Sequence, residues 1–248
     1  MLQMLIAASS GIATGSLLGL LGGGGSIIAV PVLVYLLGFD AKIAVASSLV
    51  VVAFASLLAA YSHFRHKAVV VSTALVFGGA GGIGSLAGAQ LAGLLSDSVQ
   101  LTAFALVMAL VALLMLRAKP LDIQSDTRSA PLALVLTAGV GAGILTGLLG
   151  VGGGFVIVPA LTLLLKLPIT KAIGTSLLII AMNSAVGAVY YASRLHLDAS
   201  ILPFALGALA AAPIAGRLAH RIAQEKLKVS FAISLLLLSG WMLFKEVH

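Results

Sequence analysis

Two runs of glycine are the residues best suited to chemistry in this chain. Gly22, Gly23, Gly24 and Gly25, followed by Ser26, interrupt one apolar stretch, and Gly150, Gly152, Gly153 and Gly154 interrupt another. Consecutive glycines are disfavoured inside a helix, at about 1 kcal/mol each relative to alanine. Within a bilayer, open backbone is tolerated only where it is buried in protein or lines a wet cavity. The apolar stretch after the first cluster, residues 25–37, is thirteen residues long. That is roughly 20 Å of helix at about 1.5 Å per residue, against a hydrocarbon core of about 30 Å. The simplest geometry is a hairpin with its glycine tip inside the membrane. Such a tip presents the N-terminus of the next half-helix, with free N–H groups and the positive end of the dipole. Two tips facing one cavity make an anion site without any basic side chain.

Hydroxyls and one amide are the second set of candidates. Ser47 and Ser48 open one apolar segment, and Thr175 and Ser176 open another. Small hydroxyls beside a cavity can donate to an oxyanion, or they can bond backward to their own helix carbonyls; the sequence leaves both open. Asn183, beside Ser184, falls near the middle of an apolar segment, where an amide needs a partner helix or a cavity. Other features suit packing better. Gly15/Gly19, Gly84/Gly88 and Gly139/Gly143/Gly147 have the spacing that lets membrane helices approach closely. Pro31 and Pro159 mark a bend in each half. Tyr190 and Tyr191 fit an interfacial belt, and Gln90 is a weaker candidate. His63, His66, His196 and His220 lie in or beside connectors, where a solvated ring is the expectation.

The composition excludes other classes. Every Asp and Glu (Asp40, Asp97, Asp122, Asp126, Asp198, Glu225, Glu246) falls in a connector or at a segment end. A buried acid carrying protons, Na⁺ or a metal is therefore not expected. No cysteine is present, which removes disulfides, thiolate nucleophiles and cysteine metal sites. No phosphate-binding loop, hydrolase motif or nucleophile–base pair is evident, so neither enzyme activity nor a cofactor is expected. The net charge of +7 does not point to nucleic acid, because the basic residues sit singly between apolar runs rather than on one soluble face.

The elements that must position these residues are transmembrane helices. Hydrophobic residues make up 61% of the chain and charged ones 8%, against roughly 25% charged in soluble domains. Mean hydropathy is +1.21. Apolar segments cover about 3–21, 25–37, 43–62, 69–95 and 99–116, then 132–149, 152–165, 171–191, 199–219 and 228–245. The first lacks a basic leader or an evident cleavage site, so a cleaved signal is not expected.

The two groups of five are a duplication. Gly19-Leu-Leu-Gly-Gly-Gly-Gly-Ser-Ile-Ile-Ala-Val-Pro31 aligns with Gly147-Leu-Leu-Gly-Val-Gly-Gly-Gly-Phe-Val-Ile-Val-Pro159, at an offset of 128 residues. Extended to Leu37 and Leu165, 11 of 19 positions are identical, and the same register pairs Ala44 with Ala172 and Gly88 with Gly216. Repeat one is 1–118, the connector 119–131 and repeat two 132–248. If each half crosses an odd number of times, Lys42, Arg194 and Lys245 lie on one side and the other 11 basic residues on the opposite one; an even count splits them seven to seven. The positive-inside rule selects the odd count, with both termini outside and the connector cytoplasmic. The expected fold is an all-α polytopic membrane protein of two inverted-topology repeats, about five hydrophobic segments each, with glycine-tipped broken or re-entrant helices. A homo-oligomer is compatible with it.

The paired glycine motifs, each ending in Val-Pro, together with Ala172-Ile-Gly-Thr-Ser-Leu177, resemble the sulfite exporter TauE/SafE family, also called the toluene sulfonate uptake permease superfamily. The resemblance covers essentially the whole chain. It implies an inner-membrane permease for sulfur-containing anions such as sulfite, sulfonates or sulfoacetate. Ala46-Ser47-Ser48 departs from the Gly-Thr-Ser form of the second half, which breaks the symmetry of any hydroxyl role. The expected function is alternating access around a midplane site formed by the tips, with Ser47, Ser48, Thr175, Ser176 and Asn183 lining it. An anion channel and a non-transporting membrane assembly protein are the alternatives.

Overall fold

A computed structural model describes residues 2–117, 131–149, 154–192, 201–219 and 221–247. Ten α-helices run in chain order: α1 (Leu2–Leu21), α2 (Gly24–Pro31), α3 (Ala41–Arg65), α4 (Val71–Ala92), α5 (Asp97–Arg117), α6 (Leu132–Leu149), α7 (Gly154–Pro159), α8 (Ile169–Ala192), α9 (Leu202–Ala219) and α10 (Gln224–Val247). Among the described residues there is no strand, and six helices are long and apolar enough to cross a membrane. Their outward residues are apolar too: Ile83, Val189 and Leu206 are all largely exposed. Water would not tolerate so much apolar surface, whereas lipid does.

The order of elements repeats. A long helix, a short one, then three long ones appear in each half. Both short helices end on a proline, Pro31 or Pro159, and both continue into one wide turn, Val32–Leu36 and Ala160–Leu164. Leu37 N–H donates to Val32 C=O at 3.0 Å, and Leu165 N–H to Ala160 C=O at 3.3 Å, at matched repeat positions. Proline cannot donate back along the helix, and a five-residue bond spacing widens the coil there. Each wide turn then stops at a left-handed residue, Gly38 (φ 75°) or Lys166 (φ 54°).

The helices pair across the halves. α1 packs along α9 and α4 along α6; α3 lies on α8, and α5 on α10. Under the repeat relation the first two pairings are images of one another. Glycine makes them possible. Gly11, Gly15 and Gly19 rest on the backbone of α9 at Phe204, Ala208 and Ala212, while Gly139, Gly143 and Gly147 rest on α4 at Phe77, Gly81 and Ser85. A Cβ at any of the six would run into partner backbone. The spaced glycines therefore serve packing, as close helix approach in lipid requires. Along both seams the residue numbers rise together, so these helices are parallel. On the α3–α8 seam they oppose: Gly174 meets His63, and Gly187 meets Leu49. The two equivalent helices run antiparallel through the centre.

Candidate functional site

The first glycine tip turns the chain back on itself. Gly22 N–H donates to Leu18 C=O at 2.9 Å and closes α1, and Gly22 adopts φ +72°, a left-handed conformation natural to glycine at a helix end. Gly23 is then the N-cap of α2, and no side chain caps that N-terminus. Two residues on, Gly25 rests on Thr14 and Leu18 of α1, so α2 folds back against the helix it came from. Gly24 opens α2. Ser26 is fully buried, and its hydroxyl donates to Gly23 C=O at 2.8 Å.

Gly154, at the start of α7, is buried and lies against Gly23: a Cβ on either would strike the other's backbone. The first glycine-rich break thus meets the start of α7. Gly150, Gly152 and Gly153 lie outside the described residues.

The hydroxyls divide. Ser48 and Ser176 hold matched repeat positions and do the same thing: each donates at 2.8 Å to a carbonyl one turn back, Val45 or Ile173. Thr175 Oγ1 accepts the Val70 N–H at 2.9 Å, tying α8 to the α3–α4 connection. Ser47 is buried, and its hydroxyl has no protein partner. The start of α8 does reach the first tip, since a Cβ on Gly22 would lie 2.7 Å from Ser176 Oγ.

Asn183 sits two turns further along α8, fully buried, with neither amide atom hydrogen-bonded to protein. It presses on α4 where glycine leaves room: a Cβ on Gly81 would be 2.7 Å from its Nδ2. An amide desolvated without a partner costs about 1–3 kcal/mol. It is therefore no polar clasp between these helices.

Several polar residues in this interior escape the sequence reading. Ser56 and Ser184 are repeat mates, both fully buried with unpartnered hydroxyls, and Ser85 is alike; their matched positions were the available signal. Gln100 on α5 donates from Nε2 to Leu148 C=O at 2.7 Å, in the last turn of α6. His63 corrects an expectation. Instead of a solvated ring in a connector, it is 1% exposed, with Nε2 3.3 Å from Gly19 C=O. Helix α3 runs one turn past the apolar segment, to Arg65, and carries His63 inward. His196 and His220 are outside the described residues. No group of acids, histidines or cysteines able to hold a metal occurs among the described residues.

Comparison with known proteins places this architecture. The profile of the family described as Sulfite exporter TauE/SafE matches residues 7–242. A probable membrane transporter protein of Xylella fastidiosa (strain 9a5c) is 33% identical, over 90% of this chain and 88% of its own. The probable membrane transporter protein YunE of Bacillus subtilis (strain 168) is 29% identical, over 99% and 98%. A probable membrane transporter protein of Methanocaldococcus jannaschii is 29% identical, over 73% and 69%. With a match across nearly its whole length, and helices able to span a bilayer several times, this chain belongs to the sulfite exporter TauE/SafE family of membrane transporters.

Proposed function

We propose that this protein is a secondary permease for a small, sulfur-containing anion such as sulfite or a sulfonate, bound at the glycine tips. The observation that carries the reading is the buried meeting of Gly23 and Gly154, beside an α2 N-terminus that no side chain caps. Helix N-termini attract anions through unpaired N–H groups and the dipole. Glycine lets a ligand reach that backbone. Ser47 and Asn183, buried with unpartnered polar atoms, supply further donors, and membership of a sulfite exporter family points to a sulfur oxyanion.

Access alternates between two inverted halves, a reading supported by the antiparallel seam of the equivalent helices α3 and α8. Inversion brings the tips in from opposite faces, so rocking one half against the other exposes the same site to each side in turn. The protein resides in the inner membrane with both termini outside and the central connector cytoplasmic, as the basic residues favour. The chain has no cysteine, so single cysteines at either end and in the connector report the orientation by reagent accessibility.

The decisive test is thermal unfolding of the purified protein with sulfite, thiosulfate, sulfonates, carboxylates, Na⁺ and divalent cations. A ligand specific to the folded state adds about 2.7 kcal/mol at a hundredfold excess over its dissociation constant. Selective stabilisation by sulfur oxyanions, followed by saturable counterflow of the same anion in proteoliposomes, is the expected result. Stabilisation by cations alone overturns the anion site.

A further inference from the structure

Spaced glycines fasten helices of one repeat to helices of the other. Gly11, Gly15 and Gly19 of α1 rest on α9, and Gly207 of α9 rests in turn on α1 at Ala8 and Ile12. In the equivalent pair, Gly139, Gly143 and Gly147 of α6 rest on α4, while Gly84 and Gly88 of α4 rest on α6 at Val140 and Ile144. With backbone seated on backbone from both sides, neither pair can slide without losing its packing. Other contacts extend each pair. Gly216 brings α9 against Ser62 of α3, and Gly78 brings α4 against Met182 of α8. Helix α2 folds back on α1, and α10 lies against both. Helix α7 packs on α8, and α5 meets α6 and α7, with Gln100 Nε2 donating to Leu148 C=O of α6 at 2.7 Å.

These contacts divide the bundle into two bodies. One holds α1, α2 and α3 of the first repeat with α9 and α10 of the second. The other is the run from α4 to α8, Val71 to Ala192. Three main contacts lie between them: α3 on α8, α5 on α10, and Gly23 on Gly154 at the tips. Each of the three joins an element to its own repeat mate.

We infer that these two bodies, and not the two repeats, are the units that rock. The inference rests on the alternating-access reading above; each rocking half is a repeat that has exchanged its last two helices with the other. Inverted repeats reverse access by trading arrangements, and an interface between repeat mates makes that trade within itself, because its two sides are equivalent. The α3–α8 boundary has the looseness this needs. At one end Gly174 seats on Ala68 backbone, but at the other Gly187 meets the tip of the Leu49 side chain. Midway, Ser56 shares the α3 face of Leu49 and His63, at seven-residue steps. Ser56 and its mate Ser184 are buried with unbonded hydroxyls. That is costly, and a second arrangement of the seam that bonds them offsets the cost. The chain crosses between the bodies twice, from α3 to α4 and from α8 to α9. At the first crossing Lys67 is left-handed (φ 54°), and Ala68 N–H still caps α3 through His63 C=O at 3.1 Å. Val70 N–H is already held by Thr175 Oγ1 of α8, at 2.9 Å. The crossing is thus anchored in both bodies, so the hinge falls at Val69 between the anchors.

Cysteine pairs test this on a chain that has no cysteine of its own. Gly78→Cys with Met182→Cys joins α4 to α8, two helices of different repeats but one body. Leu49→Cys with Gly187→Cys joins α3 to α8 across the boundary. The pairs are matched, since a Cβ on Gly78 lies 3.1 Å from Met182 Sδ and one on Gly187 lies 3.1 Å from Leu49 Cδ1. Methanesulfonate is the probe, because sulfite itself cleaves disulfides. After oxidation, scored by loss of thiols titratable in the unfolded protein, counterflow in proteoliposomes should survive in the first pair. In the second it should stop, and return on reduction. Counterflow that stops in the first pair, or persists in the second, overturns the inference and leaves the anion reading standing. A wild type that moves no methanesulfonate counts against the sulfonate reading instead, and spin-label distances then decide the bodies by themselves. In nanodiscs, labels on Met4→Cys and Leu91→Cys, exposed on α1 and α4 of one repeat but on different bodies, should give two distances. Labels on Met4→Cys and Leu218→Cys, in different repeats but one body, should give one. A single Met4–Leu91 distance, or two for Met4–Leu218, overturns the inference.

Discussion

Gly23 and Gly154 touch through their backbones in the interior, each at the head of a short helix that ends on a proline. The contact leaves no space for a methyl group on either residue. Gly23→Ala should therefore lower stability by about 1–3 kcal/mol, the usual cost of overpacking, and abolish counterflow while the protein still inserts. Gly79→Ala and Gly141→Ala are the controls, since a Cβ there meets nothing within 4 Å; these should be neutral or stabilising by up to about 1 kcal/mol, as for Gly→Ala in helix interiors. Thermal unfolding and flux measured on the same preparations check both. Normal counterflow in Gly23→Ala removes the tips from the site.

Asn183 should show stability and transport moving in opposite directions. Asn183→Leu removes a buried amide that has no protein partner, and should raise stability by about 1 kcal/mol or more. If the amide contacts the anion, the same change should lower transport at least about tenfold, equivalent to about 1.4 kcal/mol of binding. A more stable variant with unchanged flux places Asn183 outside the site.

Thr175 should behave as a structural residue. Thr175→Val deprives the Val70 N–H of its acceptor and should cost about 1–2 kcal/mol. Thr175→Ser restores the bond and should recover most of that loss. Anion affinity, read from concentration dependence of counterflow, should change little in the serine variant.

Lys166 holds a left-handed backbone with φ 54°, where its repeat counterpart is Gly38. Side chains other than glycine are strained in that region by about 1–2 kcal/mol. Lys166→Gly should therefore raise the unfolding temperature without altering flux. A drop in stability would mean the lysine side chain makes contacts that outweigh the strain.

Much of the architecture is legible in the sequence. The glycine runs, the two prolines and the 128-residue offset mark where the helices break, and the described tip residues Gly22, Gly23 and Gly154 are buried inside the bundle. The spaced glycines read correctly as packing seams because close approach in lipid demands small residues at four-residue steps. The hydroxyls were less legible. Whether Ser48 and Ser176 aim at a cavity or at their own helix depends on one rotamer, and both turn backward. His63 was misread because a helix can extend a turn beyond its apolar run when a partner helix receives the polar residue.

By itself the sequence determined that this protein lives in a membrane, that it is duplicated, and where its backbone opens. These follow from composition, repetition and glycine, which are properties of the chain in one dimension. Which polar atoms face one another was decided only by the tertiary structure. Helices such as α3 and α8 are apolar on nearly every side, so hydropathy does not say which face turns inward. Packing between helices sets that rotation, and in it Gly23 meets Gly154, Asn183 meets Gly81 and His63 meets Gly19.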